Sequence, residues 1–255
     1  MEVKAKDRRV QISELVNEGK AVSVSDLSNM FSLSPVTIRN DLRKLKTEGS
    51  IQRTYGGAVG TKNVAFEFSF QEKSDRFFEE KRRIGEFAAS LVEEGQTILL
   101  DGGTTCLQIA KNIKNVKNLT VVTNGLCAVS ELRFSKNIEL IILGGIYRPV
   151  SLDIVGPFVI ERLSKLSVDK SFCGTDGLTL SRGLTSPDPL EAEVQHAMMS
   201  CSKEVIVVTD HSKIGKDSFV SFASMSEIEK LITDNGLPGE SKKLLEKNGV
   251  EVITV

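Results

Sequence analysis

Two textures in one chain predict an α/β protein: a small helical head, then a larger body built on a mostly parallel sheet. Residues 1–57 read as short helices closed by a hairpin. From Gln96 onward, short Val/Ile/Leu runs alternate with helical stretches. Near-continuous runs of this kind suit strands buried on both faces, and their alternation with helices implies βαβ units. Charge separates the same two parts. The 255 residues sum to -1, yet residues 1–60 hold 10 Lys/Arg against 7 Asp/Glu, and residues 61–255 hold 23 against 27. A neutral total conceals a head of net +3 on a body of net -4. The hydrophobic fraction of 40% is enough for a core and excludes wholesale disorder. The expected division is a head over 1–57, a linker without clear period over 58–75, and a body over 76–255.

In the head, Asp7 to Asn17 carries Val10, Ile12, Leu15 and Val16, and Gly19 supplies a stop. Val22-Ser23-Val24 alternates like a short strand, and Ser25 is placed to cap a helix through Phe31. Ser34-Pro35 starts the next helix, because proline at the first helical position has no N–H to leave unpaired. That helix runs to Glu48 and stops at Gly49. Residues 50–57 then read as two short strands around a turn, with Tyr55 in the turn.

In the body, a helix of mixed charge is expected over Arg76 to Glu94. Strands are expected at 97–100, 119–122, 138–143, 168–173, 205–208, 231–232 and 250–255. No apolar run approaches the roughly 18 residues of a membrane helix. The start, MEVKAKDRR, lacks the apolar core of a secretion signal, so a cytoplasmic chain is expected. Cys106, Cys127, Cys173 and Cys201 are too far apart in sequence to pair as metal ligands and read as reduced small hydrophobes. No metal or cofactor is expected.

The helix from Pro35 to Glu48 has two stripes. Ile38, Leu42 and Leu45 recur at i, i+4, i+7 and form a buried face. Arg39, Arg43 and Lys46 repeat at the same spacing toward solvent, with Lys44 beside them. Ser34, Val36, Thr37 and Asn40 lie at its start, where a helix in a major groove touches base edges. Asn pairs with adenine, Arg with guanine, and a Thr methyl or Val contacts a thymine methyl. Arg53 in the hairpin is placed to follow phosphates. A small bundle with a merely solvated basic face would show the charge alone. Here cap, preceding helix, buried stripe and hairpin occur together, which points to a winged helix-turn-helix that binds double-stranded DNA.

In the body, successive apolar runs end in similar polar loops. These are Asp101-Gly102-Gly103-Thr104-Thr105, Thr123-Asn124-Gly125, Gly144-Gly145, Gly174-Thr175-Asp176-Gly177 and Thr209-Asp210-His211-Ser212-Lys213. Ligands of open parallel sheets bind outside the carboxyl ends of the strands, so these loops are expected to converge. Gly102 and Gly103 let backbone N–H groups approach an anion. Thr104 and Thr105 add hydroxyls at a helix start that favours phosphate. Lys213 adds a positive charge, and Asp101, Asp176 and Asp210 suit sugar hydroxyls. Neither a P-loop nor a GxGxxG pattern is present there. A phosphorylated sugar or polyol is the expected ligand class. His196 reads as packing or surface, and Met198-Met199 as core.

These residues resemble the DeoR family of bacterial transcription regulators. The likeness lies in Ser34 to Leu42, in Gly49 to Ala58, in the loops above, and in Glu191-Ala192, all in family order along nearly the whole chain. The resemblance implies a homo-oligomeric (dimeric or tetrameric) repressor of sugar catabolism genes. It implies a sensor domain similar in fold to ribose-5-phosphate isomerase, whose phosphorylated sugar relieves repression. It adds Glu191 to the expected effector residues, with Gly144, Gly145 and Gly177. Asn40 and Tyr55 stand where most members have Arg and His, and resemble members regulating galactosamine-type amino sugars. The rival class is an isomerase-like enzyme with an accessory N-terminal module. The isomerase pattern expects a second acid soon after the Gly-x-Asp loop and a Lys-Gly-Gly-Gly segment. Here Asp176 is followed by Gly177-Leu178-Thr179-Leu180, and no Lys-Gly-Gly-Gly occurs.

Overall fold

The computed structural model describes residues 5–17, 22–47, 51–54, 56–60 and 67–255. The chain divides into two compact units, Met1–Phe68 and Ser69–Val255. Gly19, Gly49 and Tyr55 lie outside the described residues.

The first unit runs α1 (Ala5–Asn17), β1 (Val22–Ser23), α2 (Val24–Phe31), α3 (Pro35–Thr47), β2 (Ile51–Arg53) and β3 (Gly57–Gly60). The strands form an antiparallel sheet in the order β1-β3-β2. The cap of α2 is Ser23, not Ser25. Ser23 Oγ accepts from Asp26 N while the Asp26 carboxylate accepts from Ser23 N, a reciprocal box that Ser25 lacks the spacing to form. Residues 58–60, expected as linker, are strand. Ala58 is fully buried against Ile12, Leu27, Ile38 and Leu42, and Ile51–Arg53 pairs with Ala58–Gly60. Asp41 sits on the apolar stripe of α3, at i+3 from Ile38. Its carboxylate accepts from Arg8 Nε at 2.7 Å and Arg9 Nη1 at 3.3 Å, tying α1 to α3.

The second unit opens with α4 (Phe70–Asp75), α5 (Phe78–Ser90), β4 (Thr97–Leu100), α6 (Thr104–Asn112), β5 (Leu119–Thr123), α7 (Leu126–Leu132) and β6 (Ile138–Ile142). It continues through β7 (Ile146–Arg148), β8 (Asp153–Val155), α8 (Pro157–Leu163), β9 (Val168–Cys173), β10 (Gly177–Thr179) and β11 (Gly183–Ser186). It ends with α9 (Pro189–Ser200), β12 (Ser202–Val208), β13 (Val220–Ala223), β14 (Lys230–Thr233), α10 (Gly239–Lys247) and β15 (Glu251–Thr254).

The seven apolar runs of the sequence become one parallel sheet, in the order β15-β14-β12-β9-β4-β5-β6. Alternate residues of each central strand face opposite layers. Ile98, Leu100, Phe172, Ile206 and Val208 pack toward α5 and α6. Leu99, Cys173 and Val207 pack toward α8, α9 and α10. Burial on both faces is why these strands carry no polar alternation. After β6 the chain returns to lay β9 on the other side of β4, which makes a switch point between β4 and β9. The antiparallel pair β7-β8 and the sheet β10-β11-β13 were not expected. Their three- and four-residue strands are too short and too polar to print a period.

The helix expected from Arg76 begins at Phe78. A separate helix, α4, occupies 70–75, within the expected linker, and starts from a Ser69–Glu72 capping box. Only Arg76 and Phe77 interrupt the two helices. Phe77 is left-handed at φ 52°, which costs a bulky L-residue roughly 1–2 kcal/mol. Among the described residues no helix is long and apolar enough to cross a membrane.

Removing one partner of a buried ion pair leaves the other charge uncompensated. Asp41→Ala should therefore lower the stability of the first unit by about 3 kcal/mol. Arg9→Ala, which leaves the buried Arg8–Asp41 bond in place, should cost under about 1 kcal/mol. Chemical denaturation of the two variants checks the difference.

Candidate functional sites: a basic helix and a lysine-lined crevice

Pro35 starts α3, and Ser34 Oγ accepts from Thr37 N at 3.2 Å. With Ile38, Leu42 and Leu45 buried, the opposite face presents Arg39, Asn40, Arg43 and Lys44 to solvent, and Val36 is 63% exposed at the first turn. Arg43 Nη1 donates to Asn40 Oδ1 at 3.0 Å. The two side chains thus hold each other on one face of α3. Arg53 lies on β2, in register with Ala58.

The second site lies at the carboxyl ends of β12, β9 and β4, three adjacent strands at the switch point. Asp101, just past β4, is a brace. One oxygen accepts from Gly102 N at 2.8 Å, and the other from Gly174 N at 2.9 Å and Gln195 Nε2 at 3.1 Å. Burial pushes its carboxyl above the ordinary value, although those three hydrogen bonds pull the other way. Asp176, past β9, lies between two amines, Lys213 Nζ at 2.8 Å and Lys73 Nζ at 2.9 Å. Burial would raise its carboxyl, but Lys213 and Lys73 hold it well below the usual carboxylate range. Asp210, 1% exposed, caps the short turn that carries Lys213 by accepting from Ser212 N. Lys81 of α5 is 5% exposed and donates to the Lys73 carbonyl. Burial pushes its amine down to about 8. Lys213 and Lys73 add to the fall, while Asp210 and Asp176 oppose it.

The next shell is built by close approach. A Cβ on Gly102 would fall 1.6 Å from Asp153 Oδ1, and one on Gly125 would fall 2.5 Å from Gly102 Cα. Only glycine allows the β4, β5 and β8 segments to meet there. Thr123 Oγ1 accepts from Gly125 N, and Asn124 bonds Ile154 through both backbone and side chain. The β5 loop therefore docks the β7-β8 hairpin. Asn124 Oδ1 is buried without a hydrogen-bond partner. Thr104 and Thr105 are buried at the start of α6, whose cap position, Gly103, offers no side chain.

The expected residues do not all gather. Asp101, Asp176, Asp210 and Lys213 come together, with Gly102, Gly103, Thr104, Thr105, Thr123, Asn124 and Gly125 on the β4–β5 side. Gly144 and Gly145 are exposed past β6, the sheet edge, where they lead into the hairpin. Gly177 is buried as the first residue of β10. Glu191 pairs with Arg148 at 2.7 Å, holding the hairpin against α9. Lys73, Lys81, Gln195 and Arg148 were missed. Lys81 had a signal, because with Ile84, Gly85 and Ala88 it completes an i, i+3, i+4, i+7 stripe that is buried. His196 is a surface residue bonded to the Phe222 carbonyl, and Met198 and Met199 are core. All four cysteines are free. Among the described residues no group of three or more His, Cys, Asp or Glu could hold a metal ion.

Residues 8–64 match the DeoR-like helix-turn-helix domain, and residues 76–235 match the DeoR C terminal sensor domain. The chain is 36% identical to the HTH-type transcriptional regulator GlpR of Haloferax volcanii, over 97% of this chain and 96% of that one. It is 34% identical to a protein of Escherichia coli O157:H7 named for transcriptional repression of the aga operon, over 98% and 93%. Among solved structures it is similar to ribose 5-phosphate isomerase A of Methanocaldococcus jannaschii, at 17% identity and a TM-score of 0.40. That likeness covers 54% of this chain and 55% of the isomerase.

Lys81 makes a pH-dependent prediction. With its folded value near 8 against 10.5 for a free lysine, the burial penalty applies in full below pH 8. It fades as pH rises from there toward 10.5. Lys81→Met should therefore stabilise the protein without ligand by about 1–3 kcal/mol at pH 7 and by much less above pH 10. Thermal denaturation across that pH range measures the effect.

Proposed function

The chain belongs to the DeoR family of DNA-binding transcriptional regulators, and from that membership we propose that it represses a sugar or amino-sugar catabolic operon until a phosphorylated sugar binds the crevice. It is a regulator, not an enzyme. The observation that carries the effector reading is the set Lys73, Lys81 and Lys213 around Asp176. Three amines crowd one carboxylate at a switch point, an arrangement suited to a phosphate, with Asp176 and Asp210 left as acceptors for hydroxyls. Glycine-lined N–H groups at the start of α6 supply a second set of anion donors. The absence of a second acid after Asp176 supports binding without turnover, because isomerisation needs an acid/base pair at the substrate carbonyl. In this chain Gly177–Thr179 goes into strand β10 instead.

On the DNA side, Val36, Thr37, Arg39 and Asn40 read base edges, while Ser34, Arg43, Lys44 and Arg53 contact the backbone. A net +3 on residues 1–60 is modest for a nucleic-acid binder, so two copies on paired half-sites, in a cytoplasmic dimer or tetramer, fit the charge better than one. The amino-sugar reading rests on Asn40 and Tyr55 and on the relative named for the aga operon.

A thermal-shift panel of pentose, hexose and hexosamine phosphates against the free sugars tests the crevice. At a hundredfold excess over Kd, binding adds about 2.7 kcal/mol, so only phosphorylated members should raise Tm by several degrees. Equal stabilisation by free sugars would defeat the reading. In a gel shift with the regulated promoter, Arg39→Ala combined with Arg43→Ala should abolish retardation. The stabilising sugar phosphate should release the wild-type complex.

A further inference from the structure

We propose that the break between α4 and α5 is a two-state joint that passes crevice occupancy along the chain toward the DNA-binding unit, with Lys73 as its latch and Phe77 as its hinge. The proposal rests on the crevice being an effector site.

Local preference and the observed structure disagree here. The sequence from Arg76 onward reads as helix, and helix stands on both sides of the break. Yet Arg76 is extended at ψ 130° and Phe77 is left-handed at φ 52°, ψ 41°. A bulky aromatic in that region persists only when its surroundings hold it. What holds it comes from the crevice. Lys73, one turn before the break, is bound to Asp176. Lys81, one turn after it, donates to the Lys73 carbonyl. The Phe77 ring stands edge-on to His211, with centroids 5.2 Å apart. His211 is itself fixed by Asp234, which accepts from its backbone N and pairs with Nδ1, both at 2.7 Å. His211 and Lys213 share one short turn, so the hinge and the lysine site have the same support.

An entering phosphate competes with Asp176 for Lys73 and Lys213, and two anions between the same amines repel. Once Lys73 turns to the phosphate, α4 loses its tie to Asp176 in the loop after β9, while Phe70 stays buried at the start of the helix. Arg76 and Phe77 then relax into helix and join α4 to α5. Ser69, which caps α4, is the first residue of the second unit. A change in the direction of α4 is therefore delivered directly to the connection with the helix-turn-helix. A strained, over-held element with a ready alternative is the kind of bistable part that allosteric coupling requires.

Phe77→Gly and Phe77→Ala separate hinge from packing. Both delete the ring, but glycine accepts the left-handed state and disfavours helix, while alanine does the reverse. The full-length wild type and variants are compared by amide exchange over residues 75–80, with inorganic phosphate as the anion probe, and by retention of the promoter DNA that the wild type binds. The expected result is at least tenfold slower exchange at Arg76–Phe78 in the wild type when phosphate is added. Phe77→Ala should show that slow exchange without phosphate and bind the DNA at least tenfold more weakly than Phe77→Gly. Phe77→Gly should stay fast in phosphate. Lys73→Gln should follow Phe77→Ala. If phosphate stabilises the wild type but Phe77→Gly and Phe77→Ala match in exchange and DNA affinity, the joint is refuted while the effector site stands. If phosphate neither stabilises the wild type nor alters its exchange, the crevice reading fails and the joint with it.

Discussion

An amine taken out of water must find negative charge or lose its proton, and the second unit is arranged around that constraint. Lys81 is almost wholly buried, with Lys213 and Lys73 pushing its amine down and Asp210 and Asp176 opposing them. The fall of the Lys81 amine to about 8 comes first from burial, with Lys213 and Lys73 adding to it. Unpaired buried charge costs several kcal/mol, so the stability of this cluster depends on which groups face the three amines.

Holding such a site open requires a rigid frame. The sheet supplies it, because β12, β9 and β4 are buried on both faces and their carboxyl ends are fixed to within the packing of the core. Asp101 then ties the β4 loop to the β9 loop, and Gln195 brings α9 to the same carboxylate. The hairpin β7-β8 is secured at both ends, by Asn124 on one side and by Glu191 through Arg148 on the other. These contacts join the loops at the carboxyl ends of β4, β5 and β9. The lysines come from α4, α5 and the turn after β12.

The first unit solves a different problem with the same economy of charge. A basic recognition face needs a helix held firmly from behind, and three apolar residues on α3 do most of that. Asp41 adds direction. It lies among Ile38, Leu42 and Leu45, where it takes Arg8 and Arg9 of α1. The basic total of the head thus overstates what is free for nucleic acid, since those two arginines are engaged at the back of α3. The basic residues left exposed on α3 are Arg39, Arg43, Lys44 and Lys46.

Periodicity was enough to place all seven strands of the parallel sheet and the amphipathic stripe of α3, because each of these elements has one environment repeated along its length. The stripe and the Ser-Pro start are local, so α3 was legible as well. The loop residues Asp101, Asp176 and Lys213 were legible because strand ends in a parallel sheet share one edge. What the sequence could not decide is which side chains arrive from elsewhere. Lys73 reaches Asp176 across 103 positions, and Gln195 reaches Asp101 across 94. Nothing local marks either pairing. The same holds for Asp101, whose chemistry suits a sugar hydroxyl but whose oxygens are used to join two loops. It holds too for Arg76 and Phe77, which break the helix beside contacts to the loop after β9 and the turn after β12. A repeating local environment leaves its imprint on residue order. The pairing of single charges at a switch point is set only when the chain folds back and brings distant segments to one edge.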